Sequence, residues 1–388
     1  MQPLAGRRIV LGISGSIGAV QAPALAARLV ALGAEVQAVA TPAALRLVGP
    51  AALRDATGLE PVAQLTGRGE HVRELLPDGA DLLLLAPCTA NTLGKVALGL
   101  DDSPVTTFAS VLLGHVPVVI APAMHATMWD NAAVRLNLQR ARDLGCVIVA
   151  PRLEEGAAKM APLDDLEAHV LRALGAGTLA GRRVVVVAGP TSEPLGEGLW
   201  LSNRSTAGTG LALAREAFRQ GADVELWLGA ATPDAPAGCT LRRFTTVEEL
   251  LALAPHAHGA DAVLVPAAVG DYAAAGPRDA SGRVPLRPTP KFVDVLREGF
   301  DGVLVCFKAE SGLDDKALLA KARALQERTR AALVVANDLE RVGRAATEAL
   351  LVEPERATPF RGPRDELAAE VLRRVAGVLA PRDPPRIP

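Results

Sequence analysis

The sequence predicts an α/β protein of two doubly wound domains, each a parallel sheet covered on both faces. Three observations carry this. At 388 residues the chain exceeds one ordinary domain. Nearly continuous apolar runs alternate with Ala/Leu-rich helical stretches, as strands buried on both faces require. The chain also opens twice in the same way: Leu4-Ala5-Gly6-Arg7-Arg8 leads into IVLGISGS, and Leu179-Ala180-Gly181-Arg182-Arg183 leads into VVVVAGPT.

Each opening begins a strand-turn-helix-strand unit. The first runs through ALAARLVALGAEVQAVAT to Thr41, and the second through ALAREAFRQGADVELWLG to Gly229. Further strands are expected over 81–86, 117–121 and 147–150, then over 261–266, 302–307 and 331–336. The joint falls near 175–178, after a helix over 163–174. The domains are therefore 1–175 and 179–380, and the Pro-rich tail 381–388 is expected to be disordered.

Hydrophobic residues make up 49% of the chain, enough for two cores, and the formal net charge is -2. That balance makes no case for nucleic acid or an anionic membrane as partner. No apolar run approaches the roughly 18 residues of a membrane span, and the run after Arg7 and Arg8 is too short for a signal segment. The four cysteines lie apart without a CxxC pair. The expectation is a cytoplasmic protein. Only six lysines stand against 35 arginines, so each lysine is a candidate for a specific task.

Ligands of doubly wound sheets sit beyond the carboxyl ends of the strands. After the first strand come Gly12, Ser14, Gly15, Ser16 and Gly18, either a phosphate cradle or a tightly packed turn. After the third come Thr89, Asn91, Lys95, Asp101 and Asp102, where Thr89 could equally cap a helix. After the fourth come Met124, His125 and Met128, a segment that reads as core packing or as chemistry. His71 stands at an expected helix start. In the second half, Gly189 to Pro194 and the hydroxyl-rich Ser202 to Gly210 form either an anion cradle or a flexible connection. Asp271, Lys291, Phe307, Lys308 and Asn337 each follow or trail a strand.

GISGSI, HVREL, APCTANTLGKVALGLDD and PAMHATMW together resemble the flavin-dependent cysteine decarboxylase family, in particular phosphopantothenoylcysteine decarboxylases, over residues 7 to about 175. The resemblance implies a flavodoxin-like domain. FMN would have its phosphate at Ser14, Gly15 and Ser16 and its remainder near Thr41, Thr89 and Asn91. It also implies His71 as catalytic base and Met124, His125 and Met128 as substrate contacts. Two departures stand out. The family's Asn after PAM is His125, and the flap that usually carries a Cys is the short segment 152–160. His125 would take over the carboxylate contact, with Lys159 a candidate for the missing donor's work.

AGPTSEP, the SNRS segment, AAVGDY, PTPK, FKAE and VVANDL resemble the phosphopantothenate–cysteine ligase domain, a Rossmann-like fold, over about 180–378. The resemblance implies activation of phosphopantothenate by a nucleoside triphosphate, CTP in most bifunctional forms, with Mg²⁺ on the phosphates, and then attack by the cysteine amine. Asn203 would stabilise the acyl-nucleotide step. Gly189, Asp271, Lys291, Phe307, Lys308 and Asn337 would line the nucleotide. Here the family's SSGKMG reads STAGTG, without its lysine. Leu199 stands where an arginine is common, and Arg278 is the nearest substitute for a lysine-rich loop.

By resemblance, trimeric decarboxylase and dimeric ligase contacts would build a homo-oligomer. The alternatives are a peptide-cysteine decarboxylase or flavin prenyltransferase, a flavin-binding regulatory homologue, and a decarboxylase whose ligase half has altered or lost its activity. The fused second domain argues against the first pair, and the presence of His71 argues against the regulatory reading.

Overall fold

The apolar runs form the inner strands of two sheets, because residues such as Leu82 to Leu85 and Val184 to Val187 have no solvent-facing side chain. The computed structural model describes residues 2–67, 69–70, 79–154, 156–175, 177–196, 198–232, 235–236, 238–276, 282–338 and 347–379. Two compact units divide at Gly175. The tail 381–388 lies outside the described residues.

In the first unit the strands are β1 (Arg8–Ile13), β2 (Glu35–Ala40), β3 (Leu82–Cys88), β4 (Val118–Pro122), β5 (Met124–His125), β6 (Val147–Ile148), β7 (Arg152–Glu154) and β8 (Ala157–Lys159). A parallel sheet of order β2-β1-β3-β4-β6 places the topological switch between β1 and β3. The expected strand over 147–150 shrinks to Val147–Ile148. The helices named below are α1 (Ala22–Ala31), α2 (Pro42–Leu45), α3 (Pro50–Thr57), α4 (Ala90–Leu98), α5 (Pro104–Leu112), α6 (Ala126–Trp129), α7 (Ala132–Asp143) and α8 (Leu163–Leu174). Their starts follow from capping chemistry: Thr41 caps α2, Thr89 caps α4, and Ser103 with Thr106 forms a capping box on α5.

In the second unit β9 (Arg183–Ala188), β12 (Asp223–Gly229), β13 (Thr240–Phe244), β14 (Ala262–Val265), β17 (Val303–Glu310) and β18 (Leu333–Asp338) are parallel, in the order β13-β12-β9-β14-β17-β18. The sheet continues antiparallel through β19 (Thr347–Val352) and β20 (Ala357–Gly362), so it is mixed where a purely parallel one was expected. The residues between β19 and β20 make a short hairpin connection, which only antiparallel neighbours can use. Two small arms project separately: β10 (Ser192–Gly196) with β11 (Leu199–Ser202), and β15 (Tyr272–Ala274) with β16 (Leu286–Pro288).

Helices α9 (Gly208–Arg219), α10 (Val247–Leu253), α11 (Phe292–Glu298), α12 (Asp315–Thr329) and α13 (Arg364–Val378) cover the sheet. One core joins Trp227, Phe292, Leu318, Cys306, Val334 and Ala336, with the Trp227 and Phe292 rings edge to face, 6.5 Å between centroids.

The repeated Leu-Ala-Gly-Arg-Arg opening has a structural meaning. In the first unit Arg7 pairs with Asp81 at 2.6 Å, and the Arg8 amide donates to the same carboxylate at 2.8 Å. In the second, Arg182 pairs with Asp261 at 2.9 Å and the Arg183 amide donates to it, also at 2.9 Å. Each aspartate precedes the strand that neighbours the opening strand, so the motif ties the foot of one strand to the foot of the next.

Candidate functional site

A cavity of about 670 Å³ opens at the carboxyl ends of β1, β2 and β3. Gly15, Ser16, Thr41, Thr89 and Asn91 line it, together with Ala123, Met124 and Met128. Five of the six residues predicted for the cofactor therefore meet in one place, beside two predicted substrate contacts.

Ser14, the sixth, is buried and 1% exposed. Its hydroxyl donates to the Pro87 carbonyl at 2.8 Å and accepts from the Thr89 amide at 2.8 Å. It clamps the ends of β1 and β3 together and has no proton left for a ligand. Ser16 is half-buried and accepts only from the Gly18 amide, so its own O–H remains available. The Thr41 oxygen accepts from Ala44 N at 3.2 Å, again leaving the O–H free to donate. Gly15 is required by a close approach: a Cβ there would lie 2.4 Å from Ala43 Cβ and 3.1 Å from its carbonyl carbon. The turn after β1 and helix α2 are therefore in direct contact. Asn91 is exposed, and its amide makes no hydrogen bond among the described residues. The concavity, the free donors and the apolar methionines suit a planar phosphorylated cofactor such as FMN.

Two cations also line this cavity, Arg46 and Lys95. Lys95 is held by both oxygens of Asp102, at 2.9 and 2.7 Å. Sequence reasoning assigned Arg46 no role, since nothing local distinguishes it from any exposed arginine.

The PAMH segment and the short flap combine into a three-stranded antiparallel sheet, β5-β8-β7. Met124 lies opposite Ala158, and His125 opposite Ala157. Alternation then puts Met124 on one face and His125, Glu154 and Lys159 on the other. Met124 lines the cavity, whereas His125 and Lys159 are not among its lining residues. His125 caps α6: its Nδ1 accepts the Thr127 amide at 3.3 Å and lies 2.9 Å from the Thr127 hydroxyl. A backbone N–H can only donate, so in the neutral ring the proton sits on Nε2. Lys159 is paired with Glu154 at 2.7 Å, and the hydrogen bond from its ammonium holds the Glu154 carboxyl below its usual range. His71 lies outside the described residues.

In the second unit the predicted residues fall into two groups. Around the ends of β9 and β14, Asn203 donates from Nδ2 to the Ala268 carbonyl at 3.3 Å, Gly270 N donates to Thr191 Oγ1 at 2.8 Å, and Lys291 pairs with Asp271. Gly189 has φ +86, and a Cβ would meet Thr232 and Gly229 at 3.0 and 3.1 Å. The turn after β9 thus needs glycine both for its backbone and for space.

Phe307, Lys308 and Asn337 form the second group, on β17 and β18. The register sets Ala309 beside Asn337 and Lys308 beside Ala336. Phe307 and Asn337 therefore share one face, while Lys308 points to the other, the face whose core contains Ala336 and Leu318. There Lys308 and Lys321 both bind Glu310 at 2.8 Å and hold its carboxyl below the usual range. The structure does not bring Lys308 to Asn337. Arg278 lies outside the described residues. Among the described residues, no three His, Cys, Asp or Glu side chains gather as metal ligands, and no helix is long and apolar enough to cross a membrane.

Two family models match the chain: Flavoprotein over residues 1–175, and DNA/pantothenate metabolism flavoprotein C-terminal domain over 179–378. Among curated relatives, the coenzyme A biosynthesis bifunctional protein CoaBC of Thermococcus kodakarensis is 40% identical over 361 residues, covering 90% of this chain and 89% of that protein. The protein of the same name from Methanocaldococcus jannaschii is 29% identical over 386 residues, covering 96% and 94%. Among solved structures, the FMN-dependent cysteine decarboxylase SpaF is 34% identical, covering 44% of this chain and 97% of that one, with a TM-score of 0.39. The C-terminal domain of a CoaBC protein is 25% identical, covering 52% and 98%, with a TM-score of 0.45.

Proposed function

This chain belongs to the family of bifunctional coenzyme A biosynthesis proteins, and from that premise we propose how its residues divide the work. The second unit is the ligase that joins phosphopantothenate to cysteine. The first is the FMN-dependent decarboxylase that converts the product to phosphopantetheine.

The observation that carries the decarboxylase reading is the shared cavity, lined by Gly15, Ser16, Thr41, Thr89 and Asn91 together with Met124 and Met128. The first group would hold FMN and the methionines would bound the substrate. Flavin supplies the electron sink that a cysteine-derived carboxylate needs before it can lose CO2, and it returns the electrons afterwards. His71 would move the proton at the substrate thiol. His125, with its proton on Nε2, would donate a hydrogen bond to the substrate carboxylate only where the substrate extends past the cavity lining to the face opposite Met124. Lys159, on the face it shares with His125, is the candidate donor for the reduction of the enethiol left after CO2 departs. In a Lys159→Met variant that intermediate should accumulate; unchanged reduction would remove Lys159 from the mechanism.

In the ligase unit, Asn203 would stabilise the acyl-nucleotide intermediate. Gly189, Asp271, Lys291, Phe307 and Asn337 would surround the nucleotide, with CTP as the expected co-substrate. Lys308 could serve the phosphates only by leaving Glu310, and Arg278 could supply charge from its loop. The described residues show no protein cage for Mg²⁺, so the ion would arrive on the nucleotide phosphates. Exposed Leu199, Trp200, Leu201, Tyr272 and Leu286 on the two projecting arms fit a dimeric ligase contact, with trimeric contacts expected for the decarboxylase. A cytoplasmic location accords with these small-molecule substrates.

Purified protein should be yellow, with the absorption spectrum of FMN. Given phosphopantothenate, cysteine and each nucleotide in turn, it should release pyrophosphate and then CO2, fastest with CTP. Pyrophosphate without CO2 would sink the decarboxylase reading, and neither product would favour a regulatory flavoprotein.

A further inference from the structure

We infer that Arg46 is the cation that holds the flavin phosphate in the first unit, which makes it the residue that selects FMN over unphosphorylated riboflavin. The inference rests on the decarboxylase reading above and goes beyond it, because neither the motifs nor the expected cofactor loop include Arg46.

A phosphate monoester carries a charge of about −1.5 to −2 near neutral pH. Ser16 and Thr41 offer it only neutral hydroxyl donors, and Ser14 offers none, since its hydroxyl is spent between Pro87 and Thr89. Backbone N–H groups of the Gly15–Ser16 turn can add hydrogen bonds, but they bring no full positive charge, so a cation in the cavity would add the charge-assisted contact that a dianion favours. Two are present. Lys95 is already neutralised by both oxygens of Asp102. The Arg46 side chain has no carboxylate partner and no hydrogen bond among the described residues, although it lines the same cavity.

Its position is set by packing. Arg46 is the C-cap residue of α2, the single turn that Thr41 caps at its other end. Ala43 of that turn lies so close to Gly15 that no side chain fits between them. The Gly15–Ser16 turn and the start of Arg46 thus belong to one corner of the cavity. A guanidinium there, with a planar fork of donors, suits two phosphate oxygens at once. The same chemistry could serve the phosphate of the substrate, but Gly15, Ser16 and Thr41 lie on the β1–β2 side of the cavity, away from Met124 and Met128, and that favours the cofactor.

The test uses the full chain stripped of flavin and titrated with FMN and with riboflavin, each followed by quenching of flavin fluorescence. The unaltered protein should bind FMN much more tightly than riboflavin. Arg46→Met should weaken FMN by about 10- to 100-fold, the range expected for losing a charge-assisted contact. Riboflavin affinity should stay within about twofold, which also reports that the cavity is still folded. An unchanged preference for FMN in the variant would overturn the inference. So would an unchanged preference accompanied by a raised KM for phosphopantothenoylcysteine, which would assign the guanidinium to the substrate phosphate. If the unaltered protein binds neither flavin, it is the flavoprotein reading of the unit that fails.

Discussion

Arg182 and Asp261 meet at 2.9 Å with both side chains about 10% exposed, whereas the equivalent Arg7 and Asp81 meet at 2.6 Å with 46% and 26% exposed. The same tie between strand feet is thus buried in the ligase unit and largely solvated in the decarboxylase unit. Asp261→Asn should therefore cost about 3 kcal/mol of stability, because it removes the charge that balances a buried guanidinium. Asp81→Asn should cost less than about 1 kcal/mol. Urea unfolding monitored separately on each unit checks this, and equal costs would refute it.

Ser14 and Ser16 stand two residues apart and should behave in opposite ways. Ser14→Ala leaves the Thr89 amide and the Pro87 carbonyl without the hydroxyl that joins β1 to β3, and should lower stability by about 1–3 kcal/mol. Ser16→Ala should cost less, about 0.5–1 kcal/mol for the long capping bond to the Gly18 amide, and weaken FMN binding. Thermal unfolding paired with flavin titration separates the two effects. A stable Ser14 variant that loses only flavin would show that the clamp is not structural.

Arg330 ends α12 in the left-handed region, φ 51, with its side chain exposed. A residue with a Cβ is strained there by about 1–2 kcal/mol, and glycine gives back about 0.5–1 kcal/mol through its freer unfolded chain. Arg330→Gly should therefore stabilise the ligase unit, by about 0.5–1 kcal/mol net. A lower melting temperature in scanning calorimetry would show that the Arg330 side chain supplies something the backbone argument omits.

Glu225 is almost fully enclosed, and burial alone would raise its pKa. Hydrogen bonds from Arg183, Trp227 and Arg242 outweigh that and bring it down to about 2. Its folded value lies below the ordinary value of 4.5, so its contribution to stability is fully present above that value. The contribution is lost as pH falls towards 2, because the unfolded chain takes up the proton first. Glu225→Gln should lower stability near neutral pH by roughly 1–3 kcal/mol and flatten the acid side of the stability profile. An unchanged acid slope, measured by urea unfolding from pH 6 to 3, would contradict this.

Much of the candidate site is legible in the sequence. Five of the six residues expected at the flavin line one cavity, because residues beyond the carboxyl ends of parallel strands converge wherever the strand order reverses. The exception is Ser14, whose hydroxyl looks like a phosphate donor in the motif and is instead consumed by a contact 73 residues away along the chain. Arg46 escapes sequence reasoning for the converse reason: it draws notice by having no carboxylate or hydrogen-bond partner among the described residues, and a sequence cannot display an absence.

The sequence alone determined that the chain holds two doubly wound units, and it pointed to the strand ends as the places to look for chemistry. Apolar periodicity and turn residues are local properties, and they suffice for that. Only the tertiary structure decided the direction in which side chains face. Phe307, Lys308 and Asn337 read as one nucleotide group along the chain, yet Phe307 and Asn337 lie on one side of the sheet while Lys308 turns to Glu310 on the other. Alternation along a strand says that neighbours point apart. Which side meets the ligand is settled only when helices cover the sheet and leave one edge open.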